Sequence, residues 1–197
     1  MYRVPTAPAR IEAIVKKSRF IASAAHVVDR PAAMKVLEQV AIEYPDARHH
    51  CWAYLLGAPD AAISAAMSDD GEPSGTAGKP ILNVLRHKGV GDVMVVVTRY
   101  FGGIRLGAAG LVRAYSSATQ QVMDVLKTHK FVAMKRCTVS VSFDQEQVLR
   151  HWLVGKGGKI LQADYASGVS YAIELPSDTY VALVDRAARS GWFVEES

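Results

Sequence analysis

The segment Ser68–Pro80, SDDGEPSGTAGKP, concentrates residue types that can do chemistry. Three carboxylates, those of Asp69, Asp70 and Glu72, lie close together, and the rest of the segment is small or polar. Paired carboxylates can transfer protons or hold a divalent cation. The same Asp-Asp-Gly sequence is also typical of a solvated turn. No base and nucleophile pair accompanies the carboxylates, so nothing beside them completes a catalytic mechanism.

A second segment, TRYFGGIRLGAAGLVRAYS at residues 98–116, combines arginines with glycines. Glycines allow backbone amides to come close to a ligand, and the helix expected to start near Gly107 offers free N–H groups. The segment is therefore suited to an anion, through Arg99, Arg105 and Arg113. An alternative is that the glycines only form a tight turn and that the arginines pair with the three carboxylates. The two roles are compatible.

The standard catalytic and nucleotide-binding motifs are absent. A phosphate loop fails because Gly78-Lys79 is followed by Pro80 rather than a hydroxyl residue. The glycines after residue 101 do not have dinucleotide spacing, and Ser74 lacks the flanking glycines of a hydrolase elbow. His49 and His50 are adjacent, so on a strand they point to opposite faces and cannot share a metal. We predict neither a metal nor a cofactor.

The elements that would position these segments alternate between strands and helices. Asp92–Thr98 is a β-branched run typical of a central strand covered on both faces. Asp29-Arg30-Pro31 is a helix start, because proline suits the first turn. The strands are predicted at Ile11–Val15, Arg19–Val28, His50–Leu56, Ala62–Ser68 and Asp92–Thr98, and the helices at Pro31–Tyr44, from Pro80 onward, and at Gly107–Thr128.

The pattern changes after residue 130. The remaining sequence predicts the order βαββαβ, which is the ferredoxin-like plan. The predicted elements are a strand at Phe131–Phe143, a helix at Asp144–Val154, a hairpin of Lys159–Tyr165 and Val169–Leu175, a helix at Ser177–Arg189 and a strand at Trp192–Glu195. We therefore predict an α+β protein with two domains, residues 1–130 and 131–197.

Composition limits the class of protein. The 197 residues carry a net charge of +4 and are 50% apolar, as in ordinary globular proteins. The excess of lysine and arginine lies within residues 1–130, where any polyanion should bind. The two cysteines lie far apart and form no disulfide framework, and the longest apolar runs are too short to span a membrane. Without a signal peptide at the N-terminus, we expect a cytoplasmic protein.

Both chemical segments strongly resemble the signatures of the IMPACT family. The resemblance also runs through KKSRFIA (16–22) and DARHHCWAY (46–54), where His49 and Cys51 fall on the family's A-x-H-x-C pattern. It implies a first domain like ribosomal protein S5 domain 2 and a second like domain V of elongation factor G. Relatives with these folds contact RNA on the ribosome, and eukaryotic members regulate translation by binding an activator of an initiation-factor kinase. No catalytic activity is established for the family, although some members have been labelled as hydrolases. One departure is Ala109, where the family usually has glycine.

These observations predict a non-enzymatic cytosolic protein that binds RNA or a ribosome-associated protein. Its oligomeric state stays open. The alternatives are a small peptidase-like or phosphoesterase-like hydrolase and a pure protein-interaction module. The hydrolase would use the acidic wall of the site, which consists of Asp69, Asp70, Glu72 and His49. The predicted ligand or nucleic-acid contacts are Arg99, Tyr100 as a stacking surface, Gly102, Gly103, Arg105, Arg113 and Lys79.

Overall fold

The computed structural model describes residues 2–196, which form two compact units, and the chain passes from the first to the second between Phe131 and Val132. Both units mix helices and antiparallel strands. Among residues 2–196, no helix has both the length and the apolar character that crossing a membrane requires.

The first unit is built on a five-stranded antiparallel sheet with the strand order β2-β3-β6-β4-β5. A separate two-stranded ribbon pairs β1 with β7. The strands are β1 (Tyr2–Pro5), β2 (Ala9–Val15), β3 (Ser18–His26), β4 (His49–Ala58), β5 (Ala61–Ser68), β6 (Val93–Tyr100) and β7 (Thr128–Phe131), and the helices are α1 (Arg30–Glu43), α2 (Gly78–His87) and α3 (Ala108–Val125).

The central strand β6 is buried on both faces, as its β-branched sequence predicts. Val93, Val95 and Val97 belong to the apolar cluster that includes α2 and α3. Met94 and Val96 belong to the cluster on the opposite face, which α1 covers. Two helical layers therefore hold the end of β6, and with it the start of the 98–116 segment, in a fixed place.

Helix α1 begins where the sequence indicates. The Asp29 carboxylate accepts a hydrogen bond from the Ala32 N–H at 2.7 Å, and Pro31 occupies the first turn. An aspartate at this position satisfies one of the N–H groups that a helix start leaves without a partner.

One region differs from the sequence prediction. The helix expected to reach Thr128 ends at Val125, a separate strand β7 follows it, and the strand expected at Phe131–Phe143 begins only at Met134. The cause is β1, which no sequence pattern predicts because it is only four residues long. Its residues Tyr2 to Pro5 pair with Phe131 to Thr128, and this distant pairing makes a strand of residues next to the helix.

The second unit has the element order βαββαβ and an antiparallel sheet with the strand order β11-β8-β10-β9. Its elements are β8 (Met134–Val141), α4 (Glu146–Gly155), β9 (Lys159–Tyr165), β10 (Val169–Pro176), α5 (Tyr180–Ser190) and β11 (Phe193–Glu196). Leu149 and Leu153 of α4 and Leu183 of α5 pack on one side of that sheet in a single apolar cluster. Each unit encloses one fully buried free cysteine, Cys51 in the first and Cys137 in the second.

Candidate functional site

The acidic segment is a tightly bonded loop between β5 and α2. The Asp69 carboxylate accepts hydrogen bonds from the N–H groups of Gly75 (2.8 Å), Ala77 (3.0 Å) and Gly78 (2.8 Å) at the start of α2. Partial burial of Asp69 raises its pKa, but the three N–H donors outweigh this effect, so the pKa lies below the ordinary value. Asp69 therefore caps α2 and does not face an arginine.

Asp70 and the two histidines join this loop to the start of β4. The His50 N–H donates to the Asp70 carboxylate at 2.6 Å, and His49 Nδ1 donates to the Asp70 carbonyl oxygen at 2.8 Å. His50 Nδ1 lies 3.0 Å from the Thr98 hydroxyl, and burial lowers the His50 pKa. The adjacent histidines thus have different surroundings, as strand alternation predicts.

Glu72 is the one carboxylate of the segment that meets an arginine. Its Oε1 accepts hydrogen bonds from Arg99 Nη1 at 2.6 Å and from the Tyr115 hydroxyl at 2.9 Å. The two charged side chains are only 3% and 8% exposed. The Cys51 thiol donates to the Asp69 carbonyl oxygen at 2.9 Å, and burial raises the Cys51 pKa to about 12. The pairing hypothesis is therefore correct for Glu72 and Arg99 and wrong for Asp69 and Asp70.

A cavity of about 300 Å³ lies beside this ion pair, and we call it the arginine cleft. The end of β6 contributes Arg99, and the loop that follows contributes Phe101 and Arg105. Its lining residues are Arg48, His49, Glu72, Pro73, Arg99, Phe101, Arg105, Leu106, Gly107, Ala108 and Leu111. A common cavity is thus lined by residues of both segments, 68–80 and 98–116.

The charge of the arginine cleft is positive. Arg99 compensates Glu72, while Arg48 and Arg105 are exposed. Across residues 2–196, no carboxylate lies within ion-pair distance of either exposed arginine. The cleft consequently offers two uncompensated guanidinium groups and is suited to an anionic ligand.

A second cavity, of about 260 Å³, lies on the other side of Leu106, and we call it the lysine groove. It is lined by Val15, Lys16, Leu106, Gly110, Arg113, Ala114 and Ser117. Arg113 therefore lies in this groove with Lys16 and not beside Arg99 as predicted. The two arginines are separated because Arg105 lies in the loop before α3, whereas Arg113 lies in the second turn of that helix.

Several other predicted contacts lie outside both cavities. Tyr100 points to the opposite face of β6 from Arg99 because successive strand side chains alternate. Its hydroxyl donates to Asp46 at 2.7 Å, and the Arg19 guanidinium lies 5.4 Å from its ring centre. Phe101, which is 57% exposed, presents the ring that lines the arginine cleft. Lys79 is exposed on α2, away from the cleft lining.

Gly102 and Gly103, which follow Phe101, are accounted for by the backbone of this loop. A Cβ on Gly102 would lie 1.9 Å from the Lys17 carbonyl carbon, and the Gly102 N–H donates to the Ser18 hydroxyl at 3.2 Å. Gly103 has open space around it but a φ of +83°. Ala109, in place of the usual family glycine, is exposed and lies outside both cavity linings.

The acidic wall does not converge on a single reaction centre. The carboxylates of Asp69, Asp70 and Glu72 bond to different partners, and only Glu72 and His49 line the arginine cleft. In the part of the chain that the structure describes, no three His, Cys, Asp or Glu residues are grouped as metal ligands.

Sequence reasoning missed Arg48, Phe101 and Lys16. Arg48 lies just before β4, where His49 pairs in register with Arg99. The signal for Arg48 was its place in DARHHCWAY, directly before the histidine that the family pattern contains. Phe101 was detectable by strand alternation, since it lies two residues after Arg99.

The sequence model of the Impact N-terminal domain matches residues 16–123, which include every residue that lines the arginine cleft and all but one that lines the lysine groove. The chain is 42% identical over 174 residues to IMPACT family member YigZ of Escherichia coli strain K12, covering 88% of this chain and 85% of that protein. The chain belongs to the IMPACT family. IMPACT family member YvyE of Bacillus subtilis strain 168 is 32% identical over 185 residues, covering 93% and 81% of the two chains. The crystal structure of a hypothetical protein superposes with a TM-score of 0.71 and 37% identity, covering 100% of this chain and 97% of its own.

Proposed function

We propose that this IMPACT family protein is a cytosolic, non-enzymatic protein that acts in translation by binding RNA. The supporting observation is the pair of basic cavities around Leu106. Arg48 and Arg105 line one of them and Lys16 and Arg113 line the other. Within residues 2–196, all four are exposed and form no ion pair, so their charges remain available to phosphates.

The apolar side chains between these charges also suit RNA. Phe101 and Ile104 are 57% and 42% exposed in the loop that joins β6 to α3. An exposed aromatic ring beside arginines can stack an unpaired base while the arginines contact the backbone. Since the phosphate contacts carry no sequence information, binding through this surface should depend little on sequence.

The family resemblance supports the link to translation and a closer relation of fold. We propose that the first unit shares the fold of ribosomal protein S5 domain 2 and that the second is ferredoxin-like, as in domain V of elongation factor G. The order βαββαβ and the strand order of the second unit support the latter. Proteins with these folds contact RNA on the ribosome, which is the setting that we propose for this chain.

The salt dependence of RNA affinity tests the proposal. Four phosphate contacts on a single strand predict a log–log slope of about −2.8, and Arg105→Ala should make it shallower by about 0.7. Arg86→Ala is the matched control, because Arg86 is exposed on α2 and lines neither cavity. A flat salt response, or equal slopes for the two variants, would refute RNA binding by this surface. Ribonuclease-resistant capture of ribosome-associated proteins without direct RNA affinity would favour the protein-interaction alternative.

A further inference from the structure

The N-terminus of α3 is open, in contrast to that of α2. At α2, Asp69 accepts hydrogen bonds from the first N–H groups. At α3, Gly107 precedes the helix with a φ of +73°, and no side chain caps the helix start. Gly107 and Ala108 line the arginine cleft. The free N–H groups and the positive end of an 18-residue helix thus lie at the cleft, where an anion would be stabilised.

An independent observation at the same cleft is the guanidinium group of Arg99. The residue is only 7% exposed, and its Nε is buried without a hydrogen-bond partner among residues 2–196. The Phe20 and Phe101 rings lie 5.6 Å and 5.7 Å from its Cζ. Buried donors in native proteins are nearly always paired, so Arg99, which uses Nη1 for Glu72, keeps Nε as a donor that a further acceptor would satisfy. Arg99 itself lines the arginine cleft, beside Phe101.

The size and charge of the cleft indicate which hydrogen-bond acceptor it would bind. A volume of about 300 Å³ corresponds to the small end of ligand pockets and exceeds what a bare phosphate needs. Arg48 and Arg105 add two uncompensated charges, which suit a dianionic phosphate monoester better than a singly charged diester. The exposed Phe101 ring gives a flat apolar surface at the same site.

We propose that the arginine cleft binds a phosphate monoester together with its nucleoside. The phosphate accepts hydrogen bonds from Arg105, from Arg99 Nε and from the Ala108 N–H, and the base stacks on Phe101. A free nucleotide and a phosphorylated RNA end both carry this group. The second of these ligands, a phosphorylated RNA end, would belong to the RNA that the basic surface binds. In this respect alone the proposal rests on the proposed function.

Calorimetric titrations distinguish the two sources. The intact protein is titrated with adenosine 5′-monophosphate, with adenosine, and with one short RNA that is 5′-phosphorylated, 3′-phosphorylated or unphosphorylated. We expect the monophosphate to bind and adenosine not to bind, and at least one phosphorylated RNA to bind about ten-fold more tightly than the unphosphorylated one. Binding of the monophosphate without any preference among the RNAs would identify a free nucleotide as the ligand, and the proposal would stand. Equal binding of adenosine and its monophosphate would overturn the proposal.

Two variants locate the phosphate. Ala108→Pro removes one N–H donor, while proline is well tolerated at the first position of a helix. It should weaken monophosphate binding about five-fold without lowering the melting temperature. Arg105→Ala should weaken it about ten-fold, and Arg86→Ala should leave it unchanged. If both cleft variants bind the monophosphate like the unaltered protein, the site is wrong. That result would refute the monophosphate site alone, because the proposed function is tested separately by the salt dependence of RNA affinity. A flat salt dependence of RNA affinity, with monophosphate binding retained, would refute the proposed function alone.

Discussion

The buried pair of Glu72 and Arg99 allows a sharp test of how the site is built. Glu72→Gln keeps the shape of the side chain and an oxygen that accepts from Arg99 and Tyr115, but it removes the negative charge. Arg99 then remains buried, 8% exposed at its side chain, with no carboxylate beside it. Removing one partner of a buried ion pair typically costs 3–5 kcal/mol, because the remaining charge is uncompensated.

We expect the lower end of that range, about 3 kcal/mol, because glutamine retains the hydrogen bonds. The matched control is Glu43→Gln, which breaks the pair of Glu43 with Arg10 at side chains that are 47% and 43% exposed. An exposed pair contributes at most about 1 kcal/mol. The two variants remove the same charge from the same unit, so their difference reports the effect of burial.

Hydrogen exchange followed by mass spectrometry measures this difference in the intact chain, because peptides from β6 and α3 report on the first unit alone. A loss of about 3 kcal/mol should accelerate exchange of the slowest amides roughly 100-fold, against less than ten-fold for Glu43→Gln. RNA should bind Glu72→Gln more tightly, since the cleft gains a net positive charge. Similar exchange in the two variants would refute the inference that the buried pair stabilises the first unit. Replacing both partners, Glu72→Leu with Arg99→Met, should recover most of the loss.

Three further predictions concern the loop, the glycines and the units. The pKa of Asp69 is lower in the folded state than in the unfolded chain, where it is about 3.9. The contribution of Asp69 to the free energy of unfolding is therefore complete above that pH and is lost as pH falls through the lower folded pKa. Asp69→Asn should accordingly flatten the acid side of a stability–pH curve measured by circular dichroism. Gly102→Ala should prevent the first unit from folding, since its Cβ would overlap the Lys17 backbone, whereas Gly103→Ala should cost only about 1 kcal/mol in thermal melts. Cleavage between Phe131 and Val132 should give two fragments with cooperative melts; a fragment 132–197 that is unfolded at every temperature would contradict this expectation.

Local patterns were sufficient to predict most elements of both units. The β-branched run of β6 and the Asp29-Arg30-Pro31 helix start are short-range signals, and the structure has both elements within one or two residues. The strand β1 was missed because four residues carry no periodicity and its partner lies at the other end of the unit. Helix α2 starts two residues before Pro80 because Asp69, nine residues before Gly78, supplies the cap.

The candidate site was only partly predictable, because its arrangement also depends on contacts between residues that are far apart in the sequence. The sequence indicated that the acidic and glycine segments meet, and Glu72, Arg99 and Arg105 do line one cavity. It did not indicate that backbone N–H groups would occupy Asp69 and Asp70, since that depends on the path of the loop. Nor did it separate Arg113 from Arg105, because the position of Leu106 between two cavities depends on how the loop before α3 packs.

The placement of one buried cysteine in each unit gives the chain two internal chemical reporters. The thiolate is the form that attacks an alkylating reagent, and burial raises the pKa of both Cys51 and Cys137. Neither thiol is exposed, so each reacts only when its own unit opens. With excess reagent, the labelling rate of each cysteine, read from separate peptides, measures the opening of one unit without any engineered probe. The same experiment in the presence of RNA would show which unit the ligand stabilises, because only that unit's cysteine would react more slowly.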